Sequence, residues 1–266
     1  MKSSPVYNSL LLSETDGPAV EVLNPNGLSD MVLVCEHASN RIPRSLQDLG
    51  LGEVARNSHV AWDPGALALA KLLSAAFDAP LVASRISRLV YDCNRPPEAR
   101  DAMPAKSEQF DIPGNHAISQ SEHQARVVEV YDKFSAALTG VIARKSAQGK
   151  TPVLVTIHSF TPVYYGQHRA VEIGVLHDVD DGLATRILGA AGSLHPLKIE
   201  RNQPYGPKDG VTHTLQIHGI ANQIPNVMIE VRHDLLTGTQ AVDDIASALQ
   251  YLLQEAGLQL AHEGVA

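Results

Sequence analysis

The chain has 266 residues, of which 44% are hydrophobic and 19% charged, a composition that is typical of a folded protein and excludes a disordered or fibrous one. Its formal charge of −8 is spread along the sequence without a basic stripe, which argues against a nucleic-acid-binding protein because contacts to phosphates need clustered Lys and Arg. No apolar run approaches the ~20 residues that cross a bilayer, and Cys35 and Cys93 alone are too few for a disulfide framework or a cysteine zinc cage.

The organisation of the chain indicates a single domain. No linker, repeat or low-complexity tract divides residues 1–266. Residues 1–24 have neither the charged start nor the continuous apolar core of a signal peptide. We therefore expect one domain with a peripheral N-terminal segment over residues 1–24, located in the cytoplasm.

Short apolar runs rich in β-branched residues predict the strands. Their apolarity is continuous rather than alternating, which suits strands that are covered on both faces of a sheet. The predicted strands are 31–35, 80–84, 89–91, 153–157, 171–176 and 227–231.

Helical patterns lie between and after these strands. Residues 65–77 are apolar nearly all round, which predicts a deeply buried helix. A longer helix is predicted over 119–145, where Ser119 and Glu122 have the capping-box spacing, and the last over 239–255. This alternation predicts a three-layer α/β/α sandwich with a largely parallel or mixed central sheet, and in such sheets the functional site lies at the carboxyl ends of the strands.

Polar segments follow four of the predicted strands, and together they indicate an active site at one edge of the sheet. Two imidazoles and one oxygen ligand can hold zinc and leave a position for water, whose pKa the metal lowers from ~15.7 to ~7. A nearby Glu can carry the proton, and an Arg can grip a carboxylate with its planar fork. The segments are Glu36-His37-Ala38-Ser39-Asn40, Asp92-Cys93-Asn94-Arg95, His158-Ser159 and Glu230-Val231-Arg232.

His37, His158 and Glu230 each have a structural interpretation as well as a functional one. His37 and His158 would each be a satisfied structural histidine if it stood alone, and their shared placement after strands favours a metal. Glu230 is either a catalytic carboxylate or the ion-pair partner of Arg232.

Two further candidates also have structural alternatives. Arg95 is either a substrate ligand or the partner of Asp92. Asp63 is either functional or only the N-cap of the helix over 65–77, with Pro64 at its first position. Cys35 and Cys93 are interpreted as small core residues. The sequence contains no G-x-S-x-G, H-E-x-x-H, P-loop or G-x-G-x-x-G motif that would indicate a competing chemistry.

The sequence resembles the N-formylglutamate amidohydrolase family over about residues 31–236. The stretches that carry the resemblance are 34–43 (VCEHASNRIP), 63–66 (DPGA), 87–96 (SRLVYDCNRP), Asn202-x-Pro204-Tyr205, 209–214 (DGVTHT) and 229–232 (IEVR). The resemblance implies the α/β/α fold of zinc carboxypeptidases and aspartoacylases. It also implies conversion of N-formylglutamate to formate and glutamate, a reaction of amino acid metabolism and histidine degradation.

A more distant similarity to zinc carboxypeptidases implies roles for individual residues. His37 takes the place of the first metal-binding His, and His158 in an I-H-S segment takes the place of the second. Glu230 takes the place of the catalytic Glu. Asn94 and Arg95, in a D-x-N-R segment, take the place of the residues that hold the substrate carboxylate. All four segments occur in the same order along the chain.

The third metal ligand departs from the carboxypeptidase pattern, because Asn40 stands where those enzymes have a ligating Glu. The remaining candidates are Asn40, Glu36 and Asp63, and the ligand set that we predict for one zinc ion is His37, Asp63 and His158. A second substrate carboxylate needs a further cation, for which we choose Arg88 from the candidates Arg88, Arg41 and Arg232.

The sequence therefore predicts a metal-dependent amidohydrolase that acts on a small, carboxylate-bearing N-acyl amino acid. One alternative is another zinc amidase or carboxypeptidase with a different acylated amino acid or peptide as substrate. The other is a catalytically silent binding protein that keeps Arg95 but not the metal. The expected partner is a small molecule rather than a nucleic acid or a membrane, and the sequence leaves open whether the chain forms a homo-oligomer.

Overall fold

A seven-stranded mixed sheet forms the centre of the computed structural model, which describes residues 11–261. Its strands lie in the spatial order β1-β3-β2-β6-β11-β9-β10. The pairs β3–β2, β2–β6, β6–β11 and β9–β10 are parallel, whereas β1 and β9 run antiparallel to β3 and β11. These strands are β1 (Val20–Leu23), β2 (Met31–Cys35), β3 (Leu81–Ser84), β6 (Val153–Phe160), β9 (Ile173–Leu176), β10 (Ile199–Arg201) and β11 (Asn226–Arg232).

Helices cover both faces of the sheet, which confirms the α/β sandwich. On β2, Leu33 packs in one core cluster with α2, α5 and α6, and its neighbour Val34 packs in the other with α4, because successive side chains of a strand point to opposite faces. The helices are α1 (Glu53–Asn57), α2 (Ala66–Phe77), α3 (Gln120–Arg126), α4 (Asp132–Ala147), α5 (Gly182–Ala190) and α6 (Thr239–Glu255). None of the described helices is long and apolar enough to cross a bilayer.

Two small hairpins lie outside the sheet, and side chains from both line the cavity described below. Their strands are β4 (Lys106–Ser107) with β5 (Phe110–Asp111), and β7 (Val163–Tyr164) with β8 (Gln167–His168). These strands have two residues each, too few for an alternating pattern to show in the sequence.

The structure confirms five of the six predicted strands, and the prediction of a strand over 89–91 is wrong. The Ser87 carbonyl accepts hydrogen bonds from the backbone N–H groups of Val90 and Tyr91, at 2.9 and 3.4 Å, so the chain turns at this point. Leu89, Val90 and Tyr91 are nevertheless buried in the core cluster on the α4 side of the sheet. A buried turn and a buried strand have the same apolar composition, which explains the error.

The N-terminal segment is only partly peripheral. Its first residues, 1–10, lie outside the described part of the chain. Val20–Leu23 forms the edge strand β1, half-buried against β3. The prediction of a single domain over 1–266 stays a prediction.

The predicted helices exist with local differences. Helix α2 buries one face against the core, but it is exposed at Ala68, Lys71 and Ala75, so the deep burial predicted for this helix is limited to one face. The helix over 119–145 begins at the predicted capping box of Ser119 and Glu122, but a π-helical turn at Val127–Tyr131 divides it into α3 and α4. The last helix has the predicted bounds.

Candidate active site

Three side chains from separate parts of the chain bring their ligand atoms together at the carboxyl edge of the sheet. Asp63 Oδ2 lies 3.3 Å from His37 Nδ1 and 2.9 Å from His158 Nδ1, and the two ring nitrogens are 3.2 Å apart. All three residues are buried. His37 follows β2, His158 lies near the end of β6, and Asp63 precedes α2. These separations are those of atoms that share one small ion, since zinc lies ~2.0–2.2 Å from each of its nitrogen and oxygen ligands.

The hydrogen-bond partners of the rings leave lone pairs facing this point. The Nε2 of His37 is 2.7 Å from Asp92 Oδ1. Because a carboxylate oxygen can only accept a hydrogen bond, a neutral His37 ring carries its proton on Nε2, and its Nδ1 is an acceptor. The Nδ1 of His158 faces it beside a carboxylate oxygen. His37 Nδ1 and the Asp63 oxygen are acceptors, so a positive charge at this point, on a protonated His158 or on a metal ion, stabilises the group. The donor set therefore fits a divalent metal ion.

The charges around His158 favour a positive site. Burial alone would lower the pKa of this imidazole, but the carboxylates of Glu36 and Asp63 outweigh burial and raise the pKa well above its ordinary value. The same pairing holds the pKa of Asp63 far below its ordinary value despite burial. Both shifts have the same cause, which is the pairing of buried carboxylates with buried imidazoles.

The structure excludes the N-cap interpretation of Asp63. Helix α2 begins at Ala66, its N-cap is Gly65, and no side chain caps it. Instead the Asp63 carboxylate accepts a hydrogen bond from the backbone N–H of Ser159 at 3.2 Å and lies 3.5 Å from Arg88 Nη1. Its place beside both imidazoles makes it the carboxylate that can complete a metal site.

The other candidates for the third ligand lie elsewhere. The Asn40 amide donates to the backbone carbonyl of Arg56 and to Asn57 Oδ1, at 3.0 and 3.1 Å. Glu36 lies on the far side of the His158 ring, with its Oε2 3.1 Å from Nε2. Neither belongs to the described group that could hold a metal.

Glu230 stands beside His158 on the neighbouring strand, with an oxygen that has no partner. In the parallel register of β6 and β11, Glu230 pairs with His158, so both side chains point to the same side of the sheet. Glu230 is buried, and its Oε2 makes no hydrogen bond within residues 11–261. Burial raises the pKa of Glu230 to about 7, and the negative charge of Asp63 adds to the rise.

The alternative that Glu230 forms an ion pair with Arg232 is wrong. The Arg232 guanidinium instead contacts Asp234 at 2.8 Å and Glu172 at 3.4 Å. It also donates to the backbone carbonyl of Arg169 at 3.1 Å. Arg232 therefore holds the end of β11, and it is not among the side chains that line the cavity described below.

The structural alternative for the segment Asp92–Arg95, an ion pair between Arg95 and Asp92, is also absent from the structure. Asp92 pairs with His37 and with Arg88, whose Nη2 lies 2.8 Å from Oδ2. Arg95 does not pair with Asp92: its Nε donates to Asp101 at 2.7 Å, and its Nη1 donates to the Gly210 carbonyl at 2.8 Å.

Asn94, predicted to bind substrate, has both ends of its amide engaged. The nitrogen donates to the Val211 carbonyl at 2.5 Å, and the oxygen accepts from the Thr214 backbone N–H at 2.9 Å. These bonds tie the segment 209–214 to the site. Asn94 lines the cavity, and substrate binding by this residue stays a prediction.

A cavity of about 350 Å³ opens over the cluster. Among the described residues, its cationic lining consists of Arg88, Arg95 and Lys106. Arg41, another candidate for the second carboxylate, instead donates to the backbone carbonyls of Arg85 and Pro18. The remaining lining is mixed and includes Tyr164, Tyr165, Tyr205, His59 and Glu108. A cavity of this size suits a small-molecule ligand.

Two features of the site were not predicted from the sequence. The sequence suggests Asp92 only as a partner of Arg95, whereas its Oδ1 lies 2.7 Å from the Nε2 of His37. The sequence suggests no role for Tyr205, which lines the cavity and accepts a hydrogen bond from Arg169 at 2.8 Å. The sequence signal for both was their place inside motifs, Asp92 in D-x-N-R and Tyr205 in N-x-P-Y.

The sequence of the chain matches a known protein family. The model of the N-formylglutamate amidohydrolase family matches residues 29–237, which is most of the chain. The chain belongs to the N-formylglutamate amidohydrolase family. No curated protein matches the chain.

Solved structures share the fold of this chain. The chain is similar to the gene product Atu2144 from Agrobacterium tumefaciens, with 50% identity, a TM-score of 0.91 and coverage of 92% of this chain and 97% of that one. N-formylglutamate amidohydrolase from Ralstonia eutropha JMP134 has the same fold at 18% identity, with a TM-score of 0.61 and coverage of 90% and 97%.

Proposed function

We propose that the protein hydrolyses the amide bond of a small N-acyl amino acid in a metal-dependent reaction, with N-formylglutamate as the substrate. The observation that carries the proposal is the convergence of His37 Nδ1, Asp63 Oδ2 and His158 Nδ1 beneath a cavity that Glu230 also lines. Membership of the family supports an amidohydrolase.

His37, Asp63 and His158 would hold one divalent ion, for which two imidazole nitrogens and a carboxylate oxygen favour zinc. When bound, such an ion polarises the scissile carbonyl and lowers the pKa of water. Hydrogen bonds within the chain orient these ligands. Asp92 accepts one from the Nε2 of His37, and the Asp63 carboxylate accepts one from the backbone N–H of Ser159.

Glu230 is the proton carrier in this proposal. Its unpartnered Oε2 can accept a proton from water and return it to the departing nitrogen. A pKa of about 7, which burial produces, lets the carboxyl group both take and give a proton near neutral pH. Glu36, on the opposite side of His158, has its pKa held below the ordinary value because the imidazole outweighs burial, so it stays ionised and does not compete for this role.

Arg95 is the proposed anchor for the α-carboxylate of the substrate, with Arg88 nearer the metal ligands. Replacing Arg95 with Lys keeps the charge but removes the planar fork. We expect binding of an acid substrate to weaken by about 1.5–3 kcal/mol, the scale of a hydrogen bond to a charged group. An analogue with an uncharged amide in place of the α-carboxylate should bind equally to both proteins, which inhibition constants would measure.

The control for this prediction is Arg100→Lys, at an exposed position in the same segment, which should change neither constant. The contact of Arg95 with Asp101 and the Gly210 carbonyl defines the competing structural role. If Arg95→Lys weakens acid and amide alike and lowers the melting temperature, Arg95 holds the segment together and does not bind substrate.

Formate release tests the proposed reaction directly. The zinc-loaded protein should release formate and glutamate in equal amounts from N-formyl-L-glutamate, measured by formate dehydrogenase coupling and amino acid analysis. Chelation should stop the reaction and added zinc should restore it. A protein that binds N-formylglutamate tightly without zinc and without releasing formate would instead be a binding protein.

A different acylated amino acid is the second candidate substrate. Tyr164, Tyr165 and Tyr205 give the cavity an aromatic wall, which suits a side chain or acyl group with apolar surface. N-acetyl and N-formyl derivatives of phenylalanine and leucine should therefore be assayed in parallel. A higher kcat/KM for one of these than for N-formylglutamate would transfer the proposal to another amidase of the same chemistry.

A further inference from the structure

Glu36 is a fully buried carboxylate outside the cavity, at the end of β2. It is 1% exposed and is not among the side chains that line the cavity. In the parallel register of β2 and β6, Val34 pairs with Thr156, so Glu36, two residues further on, stands beside His158 on the same side of the sheet. Glu36, directly after β2, and Glu230, on β11, thus lie on the two sides of His158.

The contact between Glu36 and His158 involves the ring nitrogen that does not face the metal ligands. Glu36 Oε2 lies 3.1 Å from His158 Nε2, whereas Asp63 Oδ2 lies 2.9 Å from Nδ1. The Glu36 oxygen and the His158 nitrogen are close enough for a hydrogen bond, but their geometry does not form one. Neither Glu36 oxygen nor this nitrogen makes another hydrogen bond in residues 11–261. Glu36 and His158 are therefore potential partners, because buried polar atoms require hydrogen bonds, and the Thr214 side chain is a second potential donor to Glu36.

The chemistry of an imidazole connects this contact to the metal site. His158 has a carboxylate beside each ring nitrogen, and a carboxylate only accepts, so the proton of a neutral ring lies on Nε2, facing Glu36, once a metal ion takes up the Nδ1 lone pair and Asp63. Carboxylates that hold the second nitrogen of a ligating histidine fix the tautomer and orientation of the ring. His37 has such a partner in Asp92 at 2.7 Å. Glu36 occupies the corresponding position behind His158.

We propose that Glu36 is a positioning residue for the metal site, which orients the His158 ring and keeps the proton on its Nε2. The proposal rests on metal binding by His37, Asp63 and His158, as in the proposed function. Because Glu36 does not reach the cavity, it acts through His158 and not on the substrate.

Zinc affinity tests this role independently of turnover. Glu36→Gln keeps the size of the side chain, but its amide can donate to Nε2 and so move the proton to Nδ1. The zinc dissociation constant, measured by competition with a chelator, should rise roughly 10–100-fold. Thr156→Val is the matched control, since Thr156 is buried on the same strand as His158 and its hydroxyl also lacks a partner among the described residues. Its dissociation constant should equal that of the unchanged protein.

The Nε2 proton of His158 provides a readout that a merely structural role would not move. In the zinc-loaded protein, spectra of ¹⁵N-labelled histidines should show this proton shifted downfield by a hydrogen bond to the Glu36 carboxylate. This measurement needs no variant, so it tests the proposal even if Glu36→Gln fails to fold. Glu36→Asp is the second variant: it keeps the charge but withdraws it by one methylene, and should also weaken zinc binding.

The outcomes separate this inference from the proposed function. Equal zinc affinity of the unchanged protein and Glu36→Gln, or a His158 Nε2 proton that is not hydrogen-bonded to a carboxylate, would overturn the role of Glu36 while leaving the metal site intact. Failure of the unchanged protein to bind zinc would overturn the proposed function itself. Weaker zinc binding in Glu36→Gln but not in Thr156→Val, with a hydrogen-bonded Nε2 proton on His158, would establish Glu36 as the positioning residue.

Discussion

Glu230→Gln should retain zinc and the fold but lose turnover by roughly 10²–10⁴-fold, the range that general acid–base catalysis contributes. Glutamine has the same size as glutamate but cannot take a proton from water near neutral pH. Glu230 is buried, lines the cavity and has an oxygen without a partner, so its replacement leaves the described ligand group unchanged. Steady-state kinetics with the acid substrate and zinc analysis of the same preparation would measure both effects.

Glu200→Gln is the control for this prediction, because Glu200 is exposed on β10, away from the cavity lining. It should have the kcat of the unchanged protein. A Glu230→Gln variant with a nearly normal kcat would remove Glu230 from the mechanism. Loss of zinc together with loss of activity would show that Glu230 supports the metal site instead of carrying a proton.

His37→Ala and His158→Ala should each lose stoichiometric zinc, and with it all turnover that depends on the metal. Each variant removes one of only three proposed protein ligands, whose atoms lie 2.9–3.3 Å apart. A catalytic zinc site needs three protein ligands besides water. Elemental analysis after dialysis would measure the loss, and the effect should be as large for Asp63→Ala.

His195→Ala is the matched control, since His195 is exposed and does not belong to the ligand group. It should keep its zinc. If His37→Ala or His158→Ala retains full zinc occupancy, the residue in question is not a ligand. A variant that keeps the metal but loses activity would indicate a role in orienting substrate.

The main strands and helices could be predicted from local patterns. Continuous apolar runs marked β2, β6 and β11 because both faces of these central strands are buried. The capping box at Ser119 marked the start of α3 because the bonds of a capping box join residues three apart in sequence. The turn over 89–91 was mistaken for a strand, since its burial depends on distant segments that pack against it.

The residue types of the site and their order along the chain are visible in the sequence, and they are enough to indicate two imidazoles, a carboxylate and a proton carrier. The separate positions of the carboxylates around the two imidazoles became visible only in the folded protein. Four carboxylates of the site have the same chemistry in the sequence: Asp63, Asp92, Glu36 and Glu230. In the structure, Asp63 contacts the Nδ1 atoms of both imidazoles, whereas Asp92 and Glu36 each face the Nε2 of one ring. Glu230 has an oxygen without a hydrogen-bond partner among the described residues. The physical reason is that distances of about 3 Å between side chains depend on strand register and packing, which bring together residues far apart in sequence.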